Sequence, residues 1–135
     1  MLNRPKDLQK LLTDARVIAV VGHSDKPHRT SYEIGHYLRE AGYKVYAVNP
    51  TIQEVDGERA YPTLADVPEP IDIVNVFRRS EYLQAVIDDA IAAGAKAVWA
   101  QLGVVDTAAA QKAESSGLQM VMDRCIKVDH GMLIG

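Results

Sequence analysis

Cysteine is almost absent: Cys125 is the only one in 135 residues. An internal disulfide is therefore excluded, as is a C-x-x-C metal or redox pair, and a reducing, cytoplasmic setting is the natural expectation. An excess of basic residues is lacking too. Fifteen Lys and Arg stand against 18 Asp and Glu, for a net charge of −3, so no general affinity for nucleic acid or an anionic membrane is expected. No stretch approaches a membrane span, and the opening MLNRPKDLQKLL has no apolar core of signal-peptide size. Low-complexity segments and linkers are missing. Residues 1–135 therefore read as one domain, long enough to bury a core without staples.

What is present is a repeated alternation. Short, nearly continuous apolar runs occur at residues 17–22, 44–48, 72–77, 96–101 and 119–122, as in parallel strands covered on both faces. Between them lie helical periodicities: Ile34, Tyr37, Leu38, Ala41, and again Leu83, Val86, Ile87, Ala90, Ile91. Thr30 and Glu33 have the spacing of a capping box at the start of the first. Three times a glycine (Gly42, Gly94, Gly117) separates a helix end from an apolar run, the mark of a short αβ turn. The alanine-rich segment 106–116 is predicted helical, as is a stretch from about Pro5 to Thr13. Residues 50–70 read as loop with a short helix near Leu64 to Val67. The alternation predicts an α/β fold: a three-layer, doubly wound parallel sheet of about five strands, of Rossmann type, in the order 3-2-1-4-5. The last five residues carry no assignable feature.

Ligands of such sheets bind beyond the carboxyl ends of the strands. Here those ends are Gly22-His23-Ser24, Asn49-Pro50-Thr51, Phe77-Arg78-Arg79, Gln101-Leu102-Gly103 and Asp123-Arg124-Cys125. Lys26, Arg29, Arg78, Arg79 and Arg124 gather there against Asp25 and Asp123, so an acidic chain concentrates positive charge on one edge and points to an anionic ligand. The first loop, Gly22 to Thr30, has one glycine, so it is neither G-x-G-x-x-G nor a P-loop. The second strand ends in Asn49-Pro50, without the carboxylate that holds a ribose in NAD enzymes. Both departures weaken a dinucleotide reading. None of His23, His28, His36 and His130 has an acid at a recognisable catalytic spacing, and Cys125 reads first as a small buried apolar residue.

The stretches VVGHSDKPHRTSYEI, YKVYAVNP, IDIVNVFRR, AVWAQLGV and VMDRCIKVDH, in that order and each at a strand end, resemble the small stand-alone CoA-binding proteins. Their fold is similar to the CoA-binding domain of the succinyl-CoA synthetase alpha subunit. The resemblance runs from about Leu8 to His130. It implies that coenzyme A, or an acyl-CoA, is the ligand. It further implies that the loop Gly22 to Ser31 wraps the pyrophosphate, with Gly22, His23, Ser24, Lys26, Arg29 and Ser31 at hand. Asn49 and Pro50 would line the adenosine, Phe77 and Arg78 would pack along the ligand, and Gln101 and Gly103 would flank the pantetheine. The synthetase domain has a lysine soon after the proline matching Pro50, to hold the ribose phosphate. Here Thr51-Ile52-Gln53-Glu54 follows, and Arg78 or Arg79 is the nearest substitute. The synthetases also use a phosphorylated histidine from a further domain, for which 135 residues leave no room. The expectation is thus a CoA-binding protein without catalysis or metal. An NAD(P)-dependent enzyme, and a CoA-binding subunit that transfers acyl groups with a partner chain, stay open as alternatives.

Overall fold

The computed structural model describes residues 1–135. Five parallel strands form the central sheet: β1 (Val17–Val21), β2 (Lys44–Val48), β5 (Ile73–Val76), β6 (Ala97–Ala100) and β7 (Gln119–Val121). They fall on the five apolar runs, each within a residue of the predicted ends. A two-residue pair, β3 (Glu54–Val55) and β4 (Glu58–Arg59), makes a separate antiparallel hairpin. The helices are α1 (Pro5–Asp14), α2 (Thr30–Glu40), α3 (Leu83–Ala92), α4 (Thr107–Ser115) and α5 (Ile126–Leu133). Single 3₁₀ turns occupy Leu64–Asp66 and Ser80–Tyr82. No helix is long and apolar enough to cross a membrane.

The sheet is buried on both faces, which is why its strands show no alternation. On one face α3 and α4 pack Leu83, Ile87, Ala90, Ala109 and Ala113 against Val74, Val98 and Met120. On the other, α1, α2 and α5 bring Leu8, Leu12, Ile34, Leu38 and Ile126 onto Ile18, Val20, Ile73 and Trp99. The three αβ-turn glycines all take positive φ, between +72° and +102°, as expected of helix-terminating turns.

The strand order is β2-β1-β5-β6-β7. In order of appearance that is 2-1-3-4-5, which corrects the expected 3-2-1-4-5. The cause lies in residues 49–72. The outer edge of β2 is already occupied by Tyr61, whose N–H donates to the Ala47 carbonyl while its own carbonyl accepts from Asn49. Leu64 then turns into the α3 face, and β5 enters on the free side of β1, in register Ile18 to Ile73. All pairings remain parallel, so all five predicted ligand-edge turns do share one edge.

Candidate functional site

In a 2-1-3-4-5 sheet, the chain leaves β1 in one direction and β5 in the other, and a crevice opens between their carboxyl ends. Gly22 and Phe77 stand at those ends. The Gly22 N–H bonds to the Val48 carbonyl at 2.9 Å and the Phe77 N–H to the Val21 carbonyl at 2.8 Å. Gly22 has φ +86°, and a Cβ there would stand under 3.0 Å from the Phe77 carbonyl oxygen. A side chain at position 22 would therefore strike the protein's own backbone, with or without a ligand.

A groove runs over this point in two halves that share Gly22, Asn49, Thr51 and Phe77. The apolar half, about 530 Å³, is walled by Pro50, Pro62, Leu64 and by Tyr82, Ala85 and Val86 on the α3 side. The polar half, about 650 Å³, is lined by Ser24, Asp25, Lys26, Arg29, Thr30 and Ser31. Its loop is internally bonded. The Ser24 N–H donates to Ser31 Oγ at 2.9 Å, the Lys26 N–H to Ser24 Oγ at 3.0 Å, and the Arg29 N–H to the Lys26 carbonyl at 3.0 Å. Asn49 ties this loop to the second strand. Its Nδ2 donates to the His23 carbonyl at 3.1 Å, and its Oδ1 accepts from the N–H and hydroxyl of Thr51 at 2.9 and 2.7 Å.

The capping box expected at Thr30 and Glu33 does not form. Arg29 is the N-cap, and no side chain bonds the first turn of α2 from that position. The Glu33 carboxylate turns instead to Lys127 of α5, at 2.8 Å. The positive end of α2 thus faces the polar half with the Glu33 carboxylate of its first turn paired to Lys127 rather than capping it.

The five cations at this edge are not equivalent. Arg124 is locked in a two-bond pair with Asp129, at 2.7 and 2.9 Å, so it is not a free cation beside Cys125, which is partly buried at the N-cap of α5. Arg79 is paired with Glu81 at 3.2 Å and donates to the Tyr82 hydroxyl. Lys26, Arg29 and Arg78 have no carboxylate partner. The Arg78 guanidinium lies over the Tyr82 ring, 4.4 Å from its centre, which holds it at the groove wall.

Two residues expected to face the ligand are framework instead. The His23 side chain is fully buried beneath the loop. Its Nδ1 bonds the Ser24 carbonyl at 2.7 Å and its Nε2 meets Arg39 at 3.1 Å. Burial pushes its pKa down to about 4. Gln101 is likewise buried, its Oε1 accepting from Asn75 Nδ2 at 3.1 Å and from the Ile126 N–H at 3.0 Å. Gly103 is exposed, with its N–H on Asp123 at 2.7 Å, and lies outside both halves. Gly22, Ser24, Lys26, Arg29, Ser31, Asn49, Pro50, Phe77 and Arg78 do come together. Sequence reasoning missed Tyr82, Pro62 and Leu64, which lie on segments without periodicity and show as groove walls only in three dimensions. No three His, Cys, Asp or Glu side chains converge as a metal site.

The profile of a family described as the CoA binding domain matches residues 16–131. The uncharacterized protein YneT of Bacillus subtilis (strain 168) is 43% identical over 126 residues, covering 93% of each chain. The alpha subunit of the ADP-forming acetate–CoA ligase II of Pyrococcus furiosus is 32% identical over 84 residues. That match takes in 62% of this chain but only 18% of the ligase subunit. Among solved structures, a hypothetical protein from Pyrococcus horikoshii OT3 superimposes with a TM-score of 0.95 at 38% identity, covering 98% of this chain and 94% of that one.

Proposed function

The chain belongs to the CoA-binding domain family, and from that premise we propose that it binds coenzyme A or an acyl-CoA along the β1/β5 groove. One observation carries the reading: three cations without carboxylate partners, Lys26, Arg29 and Arg78, line a groove that begins at the open end of α2. A diphosphate suits the polar half, where Ser24, the two cations and the helix end offer donors and positive charge. An adenosine suits the apolar half, between Pro50, Pro62 and Leu64 on one side and the α3 wall on the other. In this reading residues 1–135 act as one nucleotide-binding domain that holds its ligand without transforming it. Gln101 serves by fixing the loop after β6, and Gly103 by lying on the outward path of the pantetheine.

Thermal melting tests it. A ligand that binds only the folded state adds about 2.7 kcal/mol at a hundredfold excess over Kd, a shift of roughly 5–10 °C for a chain of this size. CoA is expected to give that shift, and NAD at the same concentration much less, because Asn49 and Pro50 stand where a ribose-binding carboxylate would. An equal shift with NAD overturns the assignment in favour of a dinucleotide.

A further inference from the structure

The phosphate-facing loop is held from beneath by a relay that starts on the outer part of α2. The Arg39 guanidinium has donors only, and its Nη1 lies 3.1 Å from His23 Nε2. Nε2 must therefore accept. The neutral imidazole then carries its proton on Nδ1, which donates to the Ser24 carbonyl at 2.7 Å. Ser24 Oγ in turn receives the Lys26 N–H at 3.0 Å. Arg39 is aimed by the β3–β4 hairpin, where Glu58 lies at 3.9 Å, and the hairpin is fastened to α2 by the Tyr32 hydroxyl on Asp56 at 2.6 Å. On the α2 side the imidazole packs against Gly35, its Nε2 filling the space that a Cβ there would need.

We propose that Arg39 is a positioning residue for the loop Ser24–Arg29, acting through buried His23, whose Nδ1–H tautomer Arg39 and the Ser24 carbonyl fix from opposite sides. Arg39 lines neither half of the groove, so its effect reaches a ligand only by way of the loop. The binding part of the test rests on the CoA reading; the loop part does not.

The experiment compares wild type, Arg39→Met and Arg39→Lys by nitrogen NMR of the histidines, by amide spectra, and by calorimetry with CoA. Wild-type His23 is expected to be protonated at Nδ1 only. Arg39→Met removes the donor and leaves His23 Nε2 buried without a partner, so the Nε2 signal shifts, the Ser24 and Lys26 amides move, and CoA affinity falls roughly tenfold. Arg39→Lys restores a donor and recovers most of each change. Gly35→Ala is an independent probe. It suits a helix yet displaces the imidazole from Arg39, and it is expected to move the same amides with Arg39 left unsubstituted. Unchanged His23 and loop signals in Arg39→Met overturn the proposal, as does Arg39→Lys behaving like Arg39→Met. If wild type binds no CoA, the binding assignment fails while the ligand-free spectra still decide the relay.

Discussion

His23 illustrates how far a residue type can mislead when its burial is unknown. In the sequence it follows the one glycine of a polar loop, where a histidine reads as a phosphate donor. In the structure it is a neutral buried spacer whose two nitrogens are both occupied. Nothing local announces this, since the partner Arg39 lies 16 positions away. The consequence is a pH dependence with a definite sign. The folded-state pKa, about 4, lies below the ordinary 6.5, so the unfolded chain takes up the proton first. Stability is therefore complete above about pH 6.5 and falls as the pH drops from there through about 4, by on the order of 3 kcal/mol in full. Urea denaturation of wild type and His23→Gln between pH 7 and 4 checks it. The wild type is expected to lose stability more steeply than the variant, and parallel curves refute the assignment.

Among the elements, those with an amphipathic period or a continuous apolar run were legible, and of those too short for either only the turn at Leu64–Asp66 was. The hairpin β3–β4 has two residues per strand, which cannot show alternation. Its one signal was Asp56-Gly57, both at positive φ (+51° and +84°), the dipeptide of a tight hairpin turn. Helix α5 went unread because eight residues give barely two turns, and its buried set is Ile126, Asp129 and His130, only one of them apolar. The two helix starts make a sharper contrast. Asp106 caps α4, its Oδ1 accepting the Ala109 N–H at 3.1 Å. Thr30 and Glu33 have the spacing of a capping box and form none, because Glu33 is drawn to Lys127. Asp106→Ala should cost about 1 kcal/mol in denaturant titration and leave CoA affinity unchanged, because Asp106 does not line the groove. A loss of affinity as large as the loss of stability would mean that α4 is coupled to the site.

For the whole molecule, the pattern of apolar runs specifies parallel strands and a common edge, but it carries no information on which side of β1 the third strand enters. That single ambiguity decided the site. With β5 beside β1, Phe77 and Arg78 flank Gly22 at the middle of the groove, while Gln101 and Gly103 move one strand outward. It also ranks the cations. Arg29 and Arg78 lie along the groove unpaired, whereas Arg79 and Arg124 already have carboxylates. Arg29→Ala should weaken CoA by roughly 1.5–3 kcal/mol if it bonds a phosphate oxygen. The ribose 3′-phosphate is the sharper probe, since no lysine follows Pro50. CoA is expected to bind more tightly than dephospho-CoA, and more so at low salt, where exposed charges are least screened. Arg78→Ala should abolish that preference by weakening CoA alone, and Arg79→Ala should preserve it. If wild type binds the two ligands equally, the 3′-phosphate lies in solvent and Arg78 serves another part of the ligand. If Arg79→Ala removes the preference and Arg78→Ala does not, the Glu81 pair opens on binding, and the ranking drawn from the unliganded groove is reversed.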